Sequence, residues 1–136
     1  GNPIKSARER TKRFWRSTIY AESSPDPQGE ESEIDQLYES GDRRRWLCPC
    51  PKCGTHQELR FFPRDKQTGR GGFGGVRDKD GELLSTDEIR EAVHYVCVNG
   101  CRIDQRDKDA TVRAGRWAAD GQSIDKNGRL RGKPIK

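Results

Sequence analysis

Cys50-Pro51-Lys52-Cys53-Gly54 reads as a cysteine knuckle, and a second cysteine pair follows downstream in Cys97-Val98-Asn99-Gly100-Cys101. Pro51 favours the first central position of a tight turn, and Gly54 can adopt the left-handed conformation that turns a backbone amide toward the thiolates. Two such pairs supply the thiolates of a closed tetrahedral zinc site, which is structural because no position is left for water. We therefore expect Zn²⁺ to be bound by four cysteines: Cys50, Cys53, Cys97 and Cys101.

The spacing of the second pair leaves alternatives open. Zinc ribbons usually combine two C-x-x-C pairs over a short interval, whereas here the second pair is C-x-x-x-C and the interval runs from Cys53 to Cys97. Free or disulfide-bonded cysteines are the alternative, but five cysteines cannot all pair and we see no secretory signal. We expect Cys48 to pack on the incoming strand, because it precedes Pro49. His56 and His94 are alternative ligands, for which a polar or surface role is favoured.

The composition indicates a chain that depends on such a metal. Hydrophobic residues make up 29% of the 136 residues, charged residues 36%, and the mean hydropathy is -1.13. This content can enclose one small core at most. Structural zinc is linked to folding by an apparent ~10 to 16 kcal/mol at neutral pH. We expect the metal-free chain to be largely unfolded around the cysteines.

The charge distribution is uneven although the net charge is only +5. Basic residues crowd the segment from Lys5 to Arg16, acidic residues dominate from Glu22 to Asp42, and Arg43 to Arg45 precede the first knuckle. Basic patches of this kind can contact the phosphates of nucleic acid. The alternative is that these charges lie on solvated helix faces, which give the same sequence pattern. No apolar run approaches the ~20 residues of a membrane span, so no membrane role is expected.

The chain should contain several short elements. Capping boxes and apolar spacing predict helices over Ala7–Trp15, from Ser32 to Gly41, from Ser85 to Val93 and over Asp104–Arg113. Strands are predicted at Ser17–Tyr20, Trp46-Leu47, His56–Phe62 and Tyr95-Val96. Turn residues predict loops at Ser23–Gly29 and at Gly69–Gly75, the latter outside any packed element. The fold class is therefore small α+β, with zinc-ribbon-like antiparallel hairpins, a flexible N-terminal part and a C-terminal tail.

The order of these features resembles a known family. The residues that carry the resemblance are Ala7-Arg8-Glu9-Arg10-Thr11, Phe14, Ser24-Pro25, Gly29, Ser32, Ile34, Tyr38, Ser40, Asp42, Arg44, Pro49 to Gly54, Tyr95 to Cys97, Cys101 and Gly115-Arg116-Trp117. Together they are similar to the middle of the phage terminase large subunit of the lambda-like type. None of these motifs alone is specific for this family. Their combined order and spacing over residues 7 to 117 are specific for it.

The resemblance implies a part of the DNA-packaging motor. In that family an N-terminal ATPase drives DNA into the prohead and a C-terminal nuclease cuts the concatemer. Residues 1–45 would then be the C-terminal edge of the ATPase region, 46–118 a zinc-binding ribbon-like domain with a Gly-rich loop at 64–84, and 119–136 a linker or tail toward the nuclease. Implied partners are viral double-stranded DNA, the small terminase subunit and the portal, in the host cytoplasm.

The expected function is a structural zinc module that links motor and nuclease. The chain has no Walker A loop and no recognisable nuclease carboxylate cluster, so we expect this segment alone to catalyse nothing. One alternative is a stand-alone nucleic-acid-binding zinc ribbon, suggested by Arg43 to Arg45 and by the arginine within the Gly-rich stretch. A thiol redox switch using Cys48 with Cys50 or Cys53 is a third class, which predicts no stoichiometric metal.

Overall fold

The computed structural model describes residues 3–24 and 32–136. The chain divides into two compact units, a first unit Gly1–Gly41 and a second unit Asp42–Lys136. Most of the loop predicted at Ser23–Gly29 lies outside the described residues. Among the described residues, no helix is both long and apolar enough to cross a membrane.

The first unit contains helices α1 (Pro3–Thr11) and α2 (Glu33–Ser40). The bounds predicted for this helix, Ala7–Trp15, are wrong at both ends. Helix α1 begins at Pro3, whose fixed φ and missing N–H suit the first turn of a helix, and it ends at Thr11. Helix α2 begins after Ser32 and ends before Gly41, as predicted. The strand predicted at Ser17–Tyr20 does not form, since the described part of this unit offers it no partner strand.

The second unit contains two three-stranded antiparallel sheets and a separate hairpin. The first sheet, in the order β2-β1-β6, consists of β1 (Arg45–Pro49), β2 (His56–Gln57) and β6 (Arg116–Ala118). The second sheet, in the order β3-β4-β5, consists of β3 (Gly72–Gly74), β4 (His94–Val96) and β5 (Arg102–Asp104). The hairpin pairs β7 (Ser123–Ile124) with β8 (Leu130–Arg131). This arrangement confirms the predicted small α+β fold with antiparallel hairpins.

The helices of the second unit are short. Helix α3 (Thr86–Ala92) starts with the predicted capping box, in which Ser85 accepts from the Glu88 amide and the Glu88 side chain accepts from the Ser85 amide. Helix α4 (Lys108–Arg113) follows one 3₁₀ turn, Gln105–Asp107. The prediction of a helix from Asp104 was wrong at its start, because Asp104 pairs with His94 at the end of β5.

The strand predicted over His56–Phe62 is also shorter than expected. It ends at Gln57, and beyond it the backbone bonds to other partners. The amide of Arg60 donates to the Tyr95 hydroxyl at 3.0 Å, and the carbonyl of Phe61 accepts from the Phe73 amide at 3.3 Å. The chain therefore leaves the first sheet and crosses to the second.

The Gly-rich stretch is a packed element, so the prediction that Gly69–Gly75 lies outside one was wrong. Gly72 is buried in β3, opposite Val96. A Cβ on Gly72 would overlap the backbone of Pro63, and one on Gly75 would overlap the carbonyl of Ala92. Glycine is needed here for close backbone approach rather than for flexibility.

Residues 119–136, for which the sequence predicted a tail, contain the β7–β8 hairpin. The carboxylate of Asp125 accepts the amides of Asn127 and Arg129, both at 2.9 Å, and so closes the turn. The Asp120 amide donates to the carbonyl of Asp42 at 2.9 Å. These bonds connect the end of the chain to the start of the second unit.

Candidate metal centre

The four predicted cysteines converge on one point. Cys50 follows β1 and Cys53 lies in the turn to β2, whereas Cys97 and Cys101 flank the turn between β4 and β5. Their sulfur atoms all lie within 4.8 Å of one another. Each sheet therefore contributes one pair to a cluster that can hold a metal ion.

The first knuckle is a tight hydrogen-bonded turn. The Gly54 amide donates to the Cys50 carbonyl at 2.8 Å, and the Cys50 amide donates to the Thr55 carbonyl at 2.9 Å. Gly54 has a φ of 76°, the left-handed conformation that the sequence predicted for it. The backbone therefore directs Cys50 and Cys53 to the same side of the turn.

The second knuckle accommodates its extra residue through Gly100. The Gly100 amide donates to the Cys97 carbonyl and the Cys97 amide donates to the Cys101 carbonyl, both at 2.8 Å. Gly100 has a φ of 89°, which residues with a Cβ rarely adopt. The C-x-x-x-C spacing thus still brings its two sulfurs to the cluster.

The distances between the cysteine sulfurs distinguish a zinc site from disulfide bonds. Sγ of Cys53 lies 3.6 Å from Sγ of Cys97. Four sulfurs at about 2.3 Å from a central zinc stand about 3.8 Å apart, whereas a disulfide bond is about 2.05 Å long. All five cysteines of the chain are free. The sulfur separations are therefore compatible with a tetrahedral metal ion and too long for a disulfide bond.

Amide groups donate hydrogen bonds to these sulfurs. The Asn99 backbone amide donates to Sγ of Cys97 at 3.2 Å, and its side-chain Nδ2 donates to Sγ of Cys53 at 3.6 Å. Asn99 Nδ2 also donates to the Thr55 hydroxyl at 2.8 Å. Such donors favour thiolate over thiol and fix the direction of the sulfur.

The thiols differ in how readily they ionise. Hydrogen bonds from the side chain and backbone of Thr55, followed by that of Asn99, lower the pKa of Cys53 to about 5. Desolvation, followed by the Cys53 and Cys50 sulfurs, raises the pKa of Cys101 to about 12. Burial also raises the pKa of Cys50. The raised pKa values favour the protonated thiols of Cys50 and Cys101 at neutral pH, so metal binding at this cluster would release protons.

Gln57 joins the two knuckles and was assigned no role from the sequence. Its side chain is buried, its Oε1 accepts from the Val98 amide at 3.0 Å, and its Nε2 donates to the Thr55 carbonyl at 3.3 Å. It therefore spans from the first knuckle to the second. The sequence does indicate such a role in one respect. Gln57 is an uncharged polar residue that follows the first knuckle closely, at an inward-facing position of the strand.

The other candidate ligands lie outside the cluster. Cys48 is buried in β1 opposite Gln57, and burial raises the pKa of its thiol. His94 places Nδ1 2.8 Å from the Ala92 carbonyl, and His56 lies in β2. Among the described residues, the group that the geometry brings together around these sulfurs consists of the four knuckle cysteines.

The arginine run before the first knuckle is partly neutralised. Arg43 forms an ion pair with Asp120 at 2.7 Å, and Arg44 forms one with Asp42 at 2.8 Å. The first pair links Arg43 to a residue distant in sequence, which favours a structural role for Arg43. Arg44 pairs locally, with a residue two positions away, and its side chain is 62% exposed.

A family model described as phage terminase large subunit gpA, ATPase domain, matches residues 1–117. The matched region includes the first unit and all four clustered cysteines, and it ends at Trp117. No curated protein and no solved structure gave a significant match.

Proposed function

This chain belongs to the phage terminase large subunit gpA family, and we propose that its second unit is a structural zinc module of a DNA-packaging enzyme. In this proposal the module joins the ATPase motor to the nuclease of the full subunit. Viral double-stranded DNA is the substrate of the whole enzyme, in the host cytoplasm. The small terminase subunit and the portal are further partners of that enzyme.

The observation that carries the proposal is the convergence of Cys50, Cys53, Cys97 and Cys101. Thiolate-only donor sets select zinc or iron–sulfur clusters over hard cations such as Mg²⁺. The 3.6 Å separation of the Cys53 and Cys97 sulfurs matches a single tetrahedral ion. Zinc bound there would tie the two sheets together.

A structural role is favoured over a catalytic one by the donor set. Four protein ligands complete a tetrahedron and leave no site for an activated water. Cys50 and Cys97 are buried, Cys101 is half-buried, and Cys53 is exposed at the edge of the cluster. These residues therefore hold the fold instead of presenting a reactive metal to a substrate.

Zinc content of purified variants tests which sulfurs bind the metal. We expect one zinc per chain in the wild type and loss of zinc from Cys101→Ser on dialysis against a chelator, because a serine hydroxyl is a far weaker zinc ligand than a thiolate. Cys48→Ser is the matched control, since it removes a buried thiol outside the cluster, and it should retain one zinc. Loss of zinc in Cys48→Ser with retention in Cys101→Ser would overturn the ligand set.

The proposed linking role is tested in the full-length large subunit. There, DNA packaging should be lost in Cys101→Ser and retained in Cys48→Ser. Packaging at the wild-type rate by a zinc-free Cys101→Ser subunit would contradict a structural contribution of the module to the motor.

A further inference from the structure

The segment that crosses from β2 to β3 exposes two adjacent aromatic rings. Phe61 is 64% exposed and Phe62 is 76% exposed. Their ring centroids lie 5.1 Å apart, with the planes at 82°. Neighbouring exposed phenylalanines in water are unfavourable unless a partner covers them.

These rings are held in place by the core of the second unit. Phe61 lies 5.6 Å from Phe73, and Phe73 lies 5.3 Å from the buried ring of Tyr95. Phe62 and Pro63 abut the backbone of Gly72 so closely that no Cβ fits there. The aromatic pair is therefore presented on a fixed backbone.

The same segment is rich in positive charge. Residues 60–70 contain Arg60, Arg64, Lys66 and Arg70 against a single carboxylate, Asp65. Asp65 accepts the amides of Gln67 and Thr68, so it is engaged within its own turn. Glu58, just before the segment, pairs with Arg60 at 3.7 Å. The segment that carries the aromatic pair therefore has a net positive charge.

The segment also adjoins the metal centre. The guanidinium of Arg70 packs over Gly100 in the second knuckle, and the Gly71 amide donates to the Val96 carbonyl at 2.7 Å. The side-chain stem of Arg64 packs on Gly71. The position of the basic side chains consequently depends on the fold that the cysteines hold.

We propose that Phe61 and Phe62, flanked by Arg60, Arg64 and Arg70, form a binding surface for single-stranded DNA. Exposed rings offer faces on which unpaired bases stack, and nearby cations bind the phosphates between them. In duplex DNA the bases are already stacked on one another, so the ring faces find no equivalent partner. This inference rests on the proposed function only in that zinc holds the surface in shape.

Stacking is tested at Phe62, whose ring is the more exposed. The zinc-loaded chain is titrated into a labelled deoxythymidine 15-mer and into a labelled duplex of equal length. Phe62→Ser should bind the 15-mer about tenfold more weakly, the order of one lost base stack. Phe62→Trp should bind at least as well as the wild type, whereas Phe62→Leu should resemble Phe62→Ser. Leu83→Ser removes another exposed apolar side chain of the same unit and should change nothing.

The charge contribution is tested through salt dependence. Arg64→Ala combined with Arg70→Ala should make the slope of log affinity against log salt less steep by about 0.7 for each phosphate that the variant no longer binds. Arg90→Ala is the matched control, because Arg90 is exposed on α3 and pairs only with the neighbouring Asp87 in its described contacts. An unchanged slope in the double variant would contradict the phosphate contacts.

Zinc content is measured on every sample, so the two proposals fail in different ways. A zinc-loaded chain that does not bind the 15-mer, or binds the duplex more tightly, would overturn the single-stranded DNA surface and leave the zinc module standing. If Phe62→Ser bound the 15-mer with wild-type affinity, the single-stranded DNA surface would also be overturned. A purified wild-type chain that contains no zinc would instead overturn the zinc module, and 15-mer binding by that chain would support the aromatic surface only if Phe62→Ser weakened it.

Discussion

The two units differ in where they place their apolar side chains. Over the described residues of the first unit, no hydrophobic side chain is buried, and Trp15 and Tyr20 are 84% and 83% exposed. In the second unit, Tyr95 and Ile103 are buried against Cys50 and Cys97. In this polar chain, the hydrophobic core thus forms around the cysteines that can bind a metal. The exposed aromatics of the first unit fit the proposal that residues 1–45 complete a larger ATPase region.

Metal removal should have the largest effect on stability, and it should affect the second unit but not the first. Chelation or Cys97→Ser should unfold the second unit, because structural zinc is linked to folding by an apparent ~10 to 16 kcal/mol. Amide hydrogen exchange should show that β4 and β5 lose strong protection, while α1 and α2 exchange quickly with or without zinc. Strong protection of α1 and α2 in the metal-free chain would show that the first unit is stable by itself.

A methyl group placed in the Gly-rich strand should be the next most damaging change. Gly72→Ala inserts a Cβ into the backbone of Pro63, so we expect a loss of about 1 to 3 kcal/mol in the unfolding free energy of the second unit. Gly41→Ala is the matched control at the end of the first unit, where a Cβ meets no atom closer than 3.4 Å. Denaturant unfolding of the zinc-loaded chain measures both. Equal stability of the two variants would contradict the packed role of β3.

The two cysteine turns could be predicted because their signals are local. Each pair of thiols lies within one turn, and Pro51 and Gly54 indicate that turn directly. Helices α2 and α3 were likewise predictable, since Ser32, Gly41 and the Ser85–Glu88 box lie at their ends. Tertiary contacts were not needed to place these elements.

The rest of the fold depends on contacts distant in sequence. Strand β3 forms by pairing with β4, and its Gly72 permits the close approach of Pro63, whereas composition alone indicates a loop. The β7–β8 hairpin, by contrast, has a local turn signal in Asp125 to Gly128, although the sequence prediction placed a tail there. The same turn occurs at Asp78, whose carboxylate accepts the amides of Asp80 and Glu82.

The connection between the knuckles should contribute a moderate amount. Gln57→Ala leaves the partly buried Val98 amide without its 3.0 Å acceptor, so we expect a loss of about 1 kcal/mol in the stability of the second unit. Zinc affinity should fall with it, because folding and binding are coupled. Gln36→Ala is the control, since Gln36 is exposed on α2 of the first unit. Unchanged zinc affinity in Gln57→Ala would assign Gln57 a packing role only.

The smallest predicted effect concerns how the helices of the two units begin. Ser85 caps α3 through its side chain, whereas Ser32 makes no side-chain capping bond at α2. Ser85→Ala should therefore lower the local stability of α3 by about 1 kcal/mol, and Ser32→Ala should leave α2 unaffected. Hydrogen exchange of the two helices in the zinc-loaded chain measures both changes. Equal effects would show that side-chain capping does not distinguish the units.

The pH dependence of α3 extends this test. Hydrogen bonds from the backbone and hydroxyl of Ser85 lower the pKa of Glu88 below its ordinary value of 4.5. A carboxylate with a lowered pKa stabilises the folded form above its ordinary pKa, and this stabilisation is lost as the pH falls through the lowered value. Fraying of α3 should thus increase below pH 4.5 in the wild type and depend less on pH in Ser85→Ala. A wild-type helix whose exchange is independent of Glu88 protonation would contradict the capping box.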